Sequence, residues 1–259
     1  MSSAKPLVYL VLGAAGSGRR EVLADLIEGG FEAEDRPAVM FAEGELTGDA
    51  DARLPRLSLW TWENGAVDGT LPADATHVFF VTHGRHNPVD QIEAFHAWLQ
   101  AQGGELARVL CIVDCQLAEK HPPLRAWFEA CIHFADVVLL TRREGVANKW
   151  LSDFTGHFRD QFYPCLFEMV KAGRVRNPLL VLDPQARRLS HFLDEEQDWV
   201  VTGSDGEVID DEDDKDDGKV SDEEEVEAAP EEDPYLAKDA AGRRVKRIPD
   251  IAKYLEEEK

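Results

Sequence analysis

A glycine-rich segment near the N-terminus, GAAGSGRR at positions 13–20, has residue types suited to holding an anion. It directly follows the apolar run 7–12 and directly precedes a stretch in which apolar residues have helical spacing. Glycines let the backbone turn several amide groups toward one point, and the start of a helix adds the positive end of its dipole. Chemistry with phosphate groups is therefore expected here. The candidate phosphate-binding residues are Gly13, Gly16, Ser17, Gly18, Arg19 and Arg20.

This segment departs from the phosphate-binding pattern GxxxxGK(S/T) at its last two positions. Arg19 stands in place of the lysine and Arg20 in place of the serine or threonine. Arg19 keeps the positive charge but replaces a compact ammonium group with a longer, planar guanidinium group. Arg20 removes the hydroxyl that would bind Mg²⁺ and brings a cation close to the metal's place. The alternative interpretation, which the segment alone favours equally, is a glycine-rich turn without a ligand.

A second set of polar residues follows other apolar runs, at positions expected to form a cleft beside the loop. HGRH at 83–86 combines histidines, which titrate or bind metals near neutral pH, with an arginine that can hold a phosphate group. The competing interpretation is polar loop residues without a ligand, and for Asp114 a helix cap, a bound water or a partner for Arg20. No catalytic residue and no metal ligand is assigned. The candidate cleft and base-side residues are His83, Gly84, Arg85, Asp114, Thr141, Arg142 and Glu144.

Five unbroken apolar runs predict strands that are buried on both faces, the pattern of a parallel sheet. They are 7–12, 77–82, 108–113, 136–140 and 179–182. Apolar residues on one helical face predict helices between them, at 22–27, 89–99 and 124–132. This alternation predicts an α/β fold with a doubly wound, mostly parallel sheet.

Three further segments complete the predicted elements. The runs 38–42 and 57–62 are shorter and more polar, and they predict a hairpin at the edge of the sheet. A last helical region is expected from about 148 to 172, interrupted near Pro164 and ended by Gly173. The four cysteines lie in apolar stretches without CxxC spacing, which predicts reduced thiols in the core.

Acidic residues are concentrated toward the C-terminus of the 259-residue chain, whose formal net charge is −23. From 204 to 259, 22 acidic side chains stand against 9 basic ones. Such a run cannot bury enough apolar surface to offset its ordering entropy, so a largely disordered tail is expected after a globular domain at 1–203. Residues 234–255 mix basic and apolar side chains. They could fold onto an unknown protein partner or back onto the acidic run, with solvated disorder as the default.

The composition also excludes classes of partner and compartment. A nucleic-acid backbone requires a positively charged face, so nucleic acid is not expected to bind. The longest apolar runs are too short to cross a bilayer, and the N-terminus lacks the features of a secretion signal. No membrane association and a cytoplasmic location are therefore expected.

Four motifs, in order along residues 6–190, resemble those of the CobW-type metallochaperone GTPases, relatives of the HypB and UreG nickel-insertion GTPases. The glycine-rich segment resembles GxxGxGK(S/T), THGRHNPV at 82–89 resembles TSGLADPxxV, IVDC at 112–115 resembles VVDA, and FADVVLLTRRE at 134–144 resembles FADxxLLNKxD. The resemblance implies a P-loop NTPase fold whose first loop binds the phosphates of GTP. Each motif is expected at the carboxyl end of a strand, where ligands bind in open α/β sheets.

The departures from the family's motifs fall on positions that the family uses for chemistry. Val81 occupies the position of the glutamate that precedes TSG in the family. Residues 141–144 read TRRE where the family has NKxD, the motif that reads the guanine base. NGAVDG at 64–69 occupies the position of the metal motif NGCxCC. Glu144 could still accept hydrogen bonds from a base, whereas Thr141 cannot act as an amide. No soft-metal site is expected, because the thiolate positions hold Ala66, Asp68 and Gly69.

These departures together predict a degenerate relative that has kept the fold and lost GTP hydrolysis and metal delivery. The favoured function is a non-hydrolysing binder of a nucleotide or another anion, with an interaction role. GTP or ATP would bind without a strict Mg²⁺ requirement. Two alternatives stay open: a scaffold or interaction protein without a ligand, and a weak NTPase that uses other residues.

Overall fold

A computed structural model of the chain describes residues 5–45, 47–194 and 233–255. The strands are β1 (Leu7–Gly13), β2 (Pro37–Ala42), β3 (Leu57–Glu63), β4 (Ala66–Asp68), β5 (His77–Val81), β6 (Glu105–Asp114), β7 (Val137–Thr141) and β8 (Leu166–Met169). The helices are α1 (Arg19–Gly30), α2 (Pro88–Gln102), α3 (Cys115–Lys120), α4 (Arg125–His133), α5 (Asn148–Asp160) and α6 (Pro178–Leu182). Within these described residues, no helix has the length and apolar character needed to cross a membrane.

The strands form one sheet in the order β4-β3-β2-β5-β1-β6-β7-β8. Neighbouring strands pair in parallel, except that β3 and β4 are antiparallel. Strands β2 to β5 lie on one side of β1 and strands β6 to β8 on the other, so the strand order reverses at β1. Ligands of open α/β sheets bind at such a switch point, outside the carboxyl ends of the strands.

Helices cover both faces of the sheet. On one face, α2, α4 and α5 pack against strand residues such as Leu10 and Phe80. On the other face, α1 and α6 pack against strand residues such as Val11 and Phe79. Consecutive residues of a central strand therefore belong to different cores, which is why these strands consist almost entirely of buried apolar residues. The prediction of a doubly wound, mostly parallel α/β sheet is confirmed.

The predicted strand at 179–182 is wrong, because these residues form helix α6. Pro178 occupies its first turn, and the Asn177 side chain accepts a hydrogen bond from Leu180 N–H, so the segment has the capping residues of a helix start. Helix α6 lies close against α1, where a Cβ at Gly30 would come within 2.3 Å of Leu182. A short apolar run has too little periodicity to distinguish a strand from a buried helix.

The predicted helical region at 148–172 is correct only in its first half. Helix α5 ends at Asp160, and the chain then returns to the edge of the sheet as β8. Pro164 lies between them and, because it lacks an N–H group, cannot continue a helix. Gly173 has a left-handed φ of 74° and lies in a turn after β8 rather than at a helix end.

The predicted edge hairpin joins the wrong strands. Strands β2 and β3 are parallel, and the antiparallel partner of β3 is β4. Asn64 and Gly65 connect β3 to β4 with φ of 52° and 80°, the left-handed values of a tight hairpin turn. The NGAVDG segment at 64–69 therefore forms this turn and the strand at the sheet edge.

Residues 233–255, here named the C-terminal segment, pack on the domain. Tyr235 and Ile251 are buried in the same core as α2 and α4. The Asp233 carboxylate lies 2.8 Å from Nε2 of His133 and accepts a hydrogen bond from the Ser190 hydroxyl. The default expectation of solvated disorder is therefore wrong for this segment. The rest of the predicted tail up to it, residues 204–232, lies outside the described residues.

Candidate functional site

The carboxyl ends of the central strands surround an open cavity of about 210 Å³. The loops after β1, β2, β5 and β7 contribute to its lining. Among the lining residues are Gly16, Gly18, Arg19, Arg20, Arg85 and Arg142. An anion is the class of ligand that such a concentration of cations favours.

The backbone of the glycine-rich loop leaves amide groups available at this cavity. Gly16 and Gly18 have φ of 76° and 86°, values that glycine adopts without strain. Ala15 N–H donates to the Gly84 carbonyl at 2.9 Å, which fixes the loop after β1 to the loop after β5. The first amides of α1 have no acceptor within the helix, because the bond from Val22 N–H to the Gly18 carbonyl already spans its first turn. The helix start therefore offers donors for an anion.

Two glycines allow neighbouring backbones to approach the loop closely. A Cβ at Gly84 would lie 2.2 Å from the backbone nitrogen of Ala15, and a Cβ at Gly13 would lie 2.7 Å from the Ile112 carbonyl oxygen. Carbon atoms cannot come so close, so any other residue would displace the loop. Gly13 and Gly84 are thus required for packing around the loop.

Thr141 fixes the glycine-rich loop to the sheet. Its hydroxyl oxygen is buried and lies 2.8 Å from the Ser17 carbonyl and 3.0 Å from the Val113 carbonyl. The single hydroxyl proton can be donated to either oxygen. Ser17 is fully buried, and its own hydroxyl has no hydrogen-bond partner among the described residues. Both residues therefore support the loop.

Arg19, in the position of the pattern's lysine, is held by groups of the chain itself. Its Nη1 donates to the Thr82 carbonyl at 2.5 Å, and its Nη2 lies 2.7 and 2.5 Å from the two carboxylate oxygens of Glu45. Gly84 N–H donates to the same carboxylate at 2.6 Å. The side chains of Arg19 and Glu45 are only 3% and 6% exposed. The pair is therefore a buried ion pair at the rim of the glycine-rich loop.

Glu45 carries its charge at neutral pH although it is buried. Burial by itself raises the pKa of Glu45, but the charge and hydrogen bond of Arg19 and the Gly84 N–H outweigh burial and hold that pKa below its ordinary value of 4.5. Glu45 is not among the residues predicted from the sequence, because its contact with Arg19 spans 26 residues and follows no local spacing. The one signal in the sequence is that Glu45 comes shortly after β2, at the carboxyl end of a buried strand.

Arg20 is also engaged by the chain. Its Nε lies 2.8 Å from a carboxylate oxygen of Asp51, and its guanidinium carbon lies 3.9 Å from the ring centroid of Phe41. A magnesium ion does not fit beside this side chain, because Mg²⁺ requires oxygen ligands and Arg20 presents a cation.

His83 belongs to the loop after β5 and stacks on His86, with ring centroids 4.1 Å apart. Its Nδ1 accepts a hydrogen bond from Arg85 N–H at 3.2 Å. The His83 N–H donates to the side-chain oxygen of Gln91, and the side-chain nitrogen of Gln91 donates to the His83 carbonyl. Burial and the neighbouring His86 lower the pKa of His83, against the opposing effect of Glu45. His83 is therefore neutral at pH 7, and Arg85 supplies the charge of this loop.

Asp114 caps helix α3 and contacts Arg142. Its carboxylate accepts a hydrogen bond from Leu117 N–H at 3.0 Å, and its other oxygen lies 3.6 Å from Nη1 of Arg142. Burial raises the pKa of Asp114, although the Leu117 amide and Arg142 act in the opposite direction. Of the options left open by the sequence, the helix cap is confirmed, and the arginine it contacts is Arg142 rather than Arg20.

A second cavity of about 220 Å³ opens beside Thr141, Arg142 and Glu144, the residues predicted to lie on the base side. The two cavities share Gly18, Glu21 and Arg142, so they lie side by side, and together they are here named the cleft. Glu144 lines the second cavity, and its backbone carbonyl accepts a hydrogen bond from the Gln116 side chain at 2.7 Å. The cleft therefore has a cationic part at the glycine-rich loop and a part of mixed polarity beside it.

Most of the predicted site residues converge on this cleft. The first cavity is lined by Gly16, Gly18, Arg19, Arg20, His83, Arg85 and Arg142. The second cavity is lined by Ser17, Gly18, Thr141, Arg142 and Glu144. Gly13, Gly84 and Asp114 line neither cavity and act on the cleft through packing or capping.

No protein-family model matches the sequence, and no curated protein is significantly similar to it. Among solved structures, the Zn(II)-bound YjiA GTPase from E. coli is similar over 71% of this chain and 67% of that chain, with 15% identity and a TM-score of 0.40. The hydrogenase maturation factor HypB from Archaeoglobus fulgidus is similar over 64% of this chain and 81% of that chain, with 16% identity and a TM-score of 0.40. The signal recognition particle receptor FtsY from Elizabethkingia anophelis, in complex with GDP, is similar over 71% of this chain and 65% of that chain, with 16% identity and a TM-score of 0.45.

Metal-binding and redox residues are not grouped in the part of the chain that the structure describes. No three His, Cys, Asp or Glu side chains come together there in a way that would hold a metal ion. The four cysteines are buried and form no disulfide, and burial raises the pKa of Cys115 and of Cys165 to about 12. Such thiols are protonated at neutral pH and therefore unreactive, in agreement with the prediction of core thiols.

Proposed function

We propose that the cleft binds a phosphate-containing ligand, a nucleotide such as GTP or ATP, without hydrolysing it. The observation that carries the proposal is the cavity at the start of α1, where free amides meet Arg20, Arg85 and Arg142. Phosphate groups have the charge and the acceptor oxygens that this lining favours. The adjoining second cavity offers space for a base.

The lack of hydrolysis in this proposal rests on the groups present at two positions. Arg20 gives Mg²⁺ no oxygen ligand, and Val81, in the position that the resemblance assigns to a glutamate, is a buried apolar side chain. Phosphoryl transfer to water depends on a metal ion that neutralises developing charge and on a group that positions the water. A nucleotide bound in this cleft would therefore leave unchanged.

A second candidate is a scaffold or interaction protein without a small ligand. The ion pair of Arg19 with Glu45 favours it, because this pair already satisfies the cation at the glycine-rich loop. The surfaces of the domain and the C-terminal region would then bind a protein partner.

Calorimetric titration of GTP, ATP and inorganic phosphate, each in EDTA and in Mg²⁺, separates the two candidates. We expect nucleotide to bind with similar affinity in both conditions. Binding that occurs only with Mg²⁺ contradicts the proposal. If none of the three ligands binds and none shifts the melting temperature, the scaffold is favoured.

Arg142 offers a variant for the same titration. Arg142→Ala removes a partly exposed cation that lines both cavities, and we expect nucleotide affinity to fall about tenfold, the effect of losing one charge-assisted contact. Arg159→Ala is the matched control, because it removes the same charge from an exposed position at the end of α5. Equal losses in both variants would mean that general charge, not the cleft, determines binding.

A further inference from the structure

We infer that the Glu45 carboxylate occupies an anion position beside the glycine-rich loop, between the Arg19 side chain and the Gly84 amide, and competes with phosphate for these two donors. The inference rests on the proposed function, because it specifies what sets the affinity of the same site. Glu45 would then be an internal ligand that an incoming phosphate group must displace.

The contacts of Glu45 are those that a bound phosphate group makes in proteins. One guanidinium group, that of Arg19, donates to both carboxylate oxygens at 2.7 and 2.5 Å. One backbone amide, that of Gly84, donates to the carboxylate at 2.6 Å. Arginine forks and loop amides are the donors that recognise carboxylate and phosphate alike. A phosphate group at Arg19 would need these same donors.

Glu45 differs from the other carboxylates that contact arginines of the cleft. Asp51 and Asp114 lie against Arg20 and Arg142, and neither aspartate is among the residues that line the first cavity. The acidic residues in that lining are Glu21 and Glu45, and of these Glu45 contacts Arg19. Among the described residues, Glu45 is therefore the carboxylate that stands in the space of a ligand while holding a cation of the cleft.

Phosphate and Glu45 cannot both sit at Arg19 without a large cost. The pair is almost fully buried, so a second anion beside Glu45 would meet a like charge with little screening by water. The Glu45 side chain must therefore leave Arg19 when phosphate binds there. Gly44 has a φ of 83°, and, apart from its chain neighbours, none of the described residues has an atom within 4 Å of the position of its Cβ, so the loop has space to move with that side chain.

The test is a calorimetric titration of pyrophosphate in EDTA against three proteins: the full chain, Glu45→Gln and Glu43→Gln. Glutamine keeps the size of the Glu45 side chain and removes its charge, so we expect pyrophosphate to bind Glu45→Gln at least about tenfold more tightly than the unaltered chain. Glu43→Gln is the matched control, since Glu43 is exposed on the same loop and does not line the first cavity. Its affinity should equal that of the unaltered chain.

Each outcome separates the inference from the proposed function. Equal binding by the unaltered chain and Glu45→Gln overturns the inference and leaves the proposed function in place. Binding by Glu45→Gln alone supports the inference and overturns the proposed function, because Glu45 would then exclude the ligand. Binding by neither protein overturns both. A gain in Glu43→Gln as large as that in Glu45→Gln also overturns the inference, since general charge would explain it.

A second measurement uses the unaltered chain and decides the matter even if Glu45→Gln does not fold. Hydrogen exchange is followed at amides 43–48 and 16–21 with and without pyrophosphate. We expect exchange to slow at 16–21, where the anion binds, and to quicken at 43–48, where the loop is released. Slower exchange in both segments would overturn the inference.

Discussion

At the scale of single residues, the arginines of the glycine-rich loop are held by carboxylates of the same chain. Arg19 pairs with Glu45, and Arg20 pairs with Asp51. A buried arginine without a partner would be strongly destabilising, so these pairs allow two cations to remain at the loop when no ligand is bound. The same pairs lower the charge that an incoming anion meets. If the cleft binds an anion as proposed, its affinity should depend on how readily these pairs open.

The charge of Glu45 should make stability depend on pH in a defined direction. The folded-state pKa of Glu45 is lowered from 4.5, so its contribution to stability is present above that value and is lost as the pH falls through the lowered pKa. We expect Glu45→Gln to lower the free energy of unfolding by about 2 kcal/mol at pH 7 and by progressively less below pH 4.5. Urea denaturation of both proteins across this range measures the difference. A difference that stays constant with pH would contradict the assignment.

Gly84→Ala tests the close approach of the loops after β1 and β5. A Cβ would lie 2.2 Å from the Ala15 nitrogen, so the glycine-rich loop must shift. We expect pyrophosphate affinity to fall at least about tenfold and stability to fall by about 1–3 kcal/mol. The control is Gly156→Ala within α5, where the nearest group is the end of the Arg159 side chain, and where alanine should stabilise the helix by up to about 1 kcal/mol. Unchanged affinity in Gly84→Ala would show that the two loops need not touch for binding.

At the scale of elements, the sequence predicts those strands and loops whose structure is determined by residues close together in the chain. The central strands β1, β5, β6 and β7 are long apolar runs, and the loop after β1 has its glycines within a few positions, so both were predictable. Helix α6 and strand β8 were not, because short apolar runs are distinguished by their packing against α1 and β7 rather than by periodicity. Glu45 escaped prediction for the same reason: its partner is distant in the sequence.

The C-terminal segment is an element whose stability can be measured separately from the cleft. Tyr235 is 2% exposed and packs against His133 and Phe134, with ring centroids 4.7 and 6.1 Å away. We expect Tyr235→Ala to lower the free energy of unfolding by about 3 kcal/mol, the cost of a large cavity in a core. Val245→Ala, at a position 64% exposed in the same segment, should change it by less than about 0.5 kcal/mol. Urea denaturation gives both values, and equal small effects would mean that the segment is not docked in solution.

At the scale of the whole molecule, two segments that are distant in the sequence lie side by side. Ser190 and Asp233 are joined by a hydrogen bond although 43 positions separate them, so the C-terminal segment begins on the domain beside Ser190. The chain has a net charge of −23, yet arginines are concentrated at one cleft. The proposed anion would thus be attracted by local charge within a molecule whose net charge repels it.

The C-terminal segment and the cleft meet at Arg85. This residue lines the first cavity and also a groove of about 410 Å³ that Ile248 and Ile251 border. Because a phosphate group bound in the cleft would fix the loop that carries Arg85, we expect GTP to slow hydrogen exchange at residues 248–252. Exchange at residues 148–160 of α5, which does not line the cleft, serves as the internal control. Unchanged exchange at 248–252 with GTP bound would show that the two parts are independent.

The central claim is that the cleft holds a nucleotide without magnesium and does not hydrolyse it. Equilibrium dialysis of the full chain with GTP radiolabelled in its γ-phosphate, run in parallel in EDTA and in Mg²⁺, tests both halves of the claim, because a metal-dependent hydrolase would release phosphate in the Mg²⁺ sample. The account predicts that the label accumulates with the protein and is recovered as intact GTP. Label that does not accumulate, that accumulates only when Mg²⁺ replaces EDTA, or that is recovered as free phosphate would contradict it.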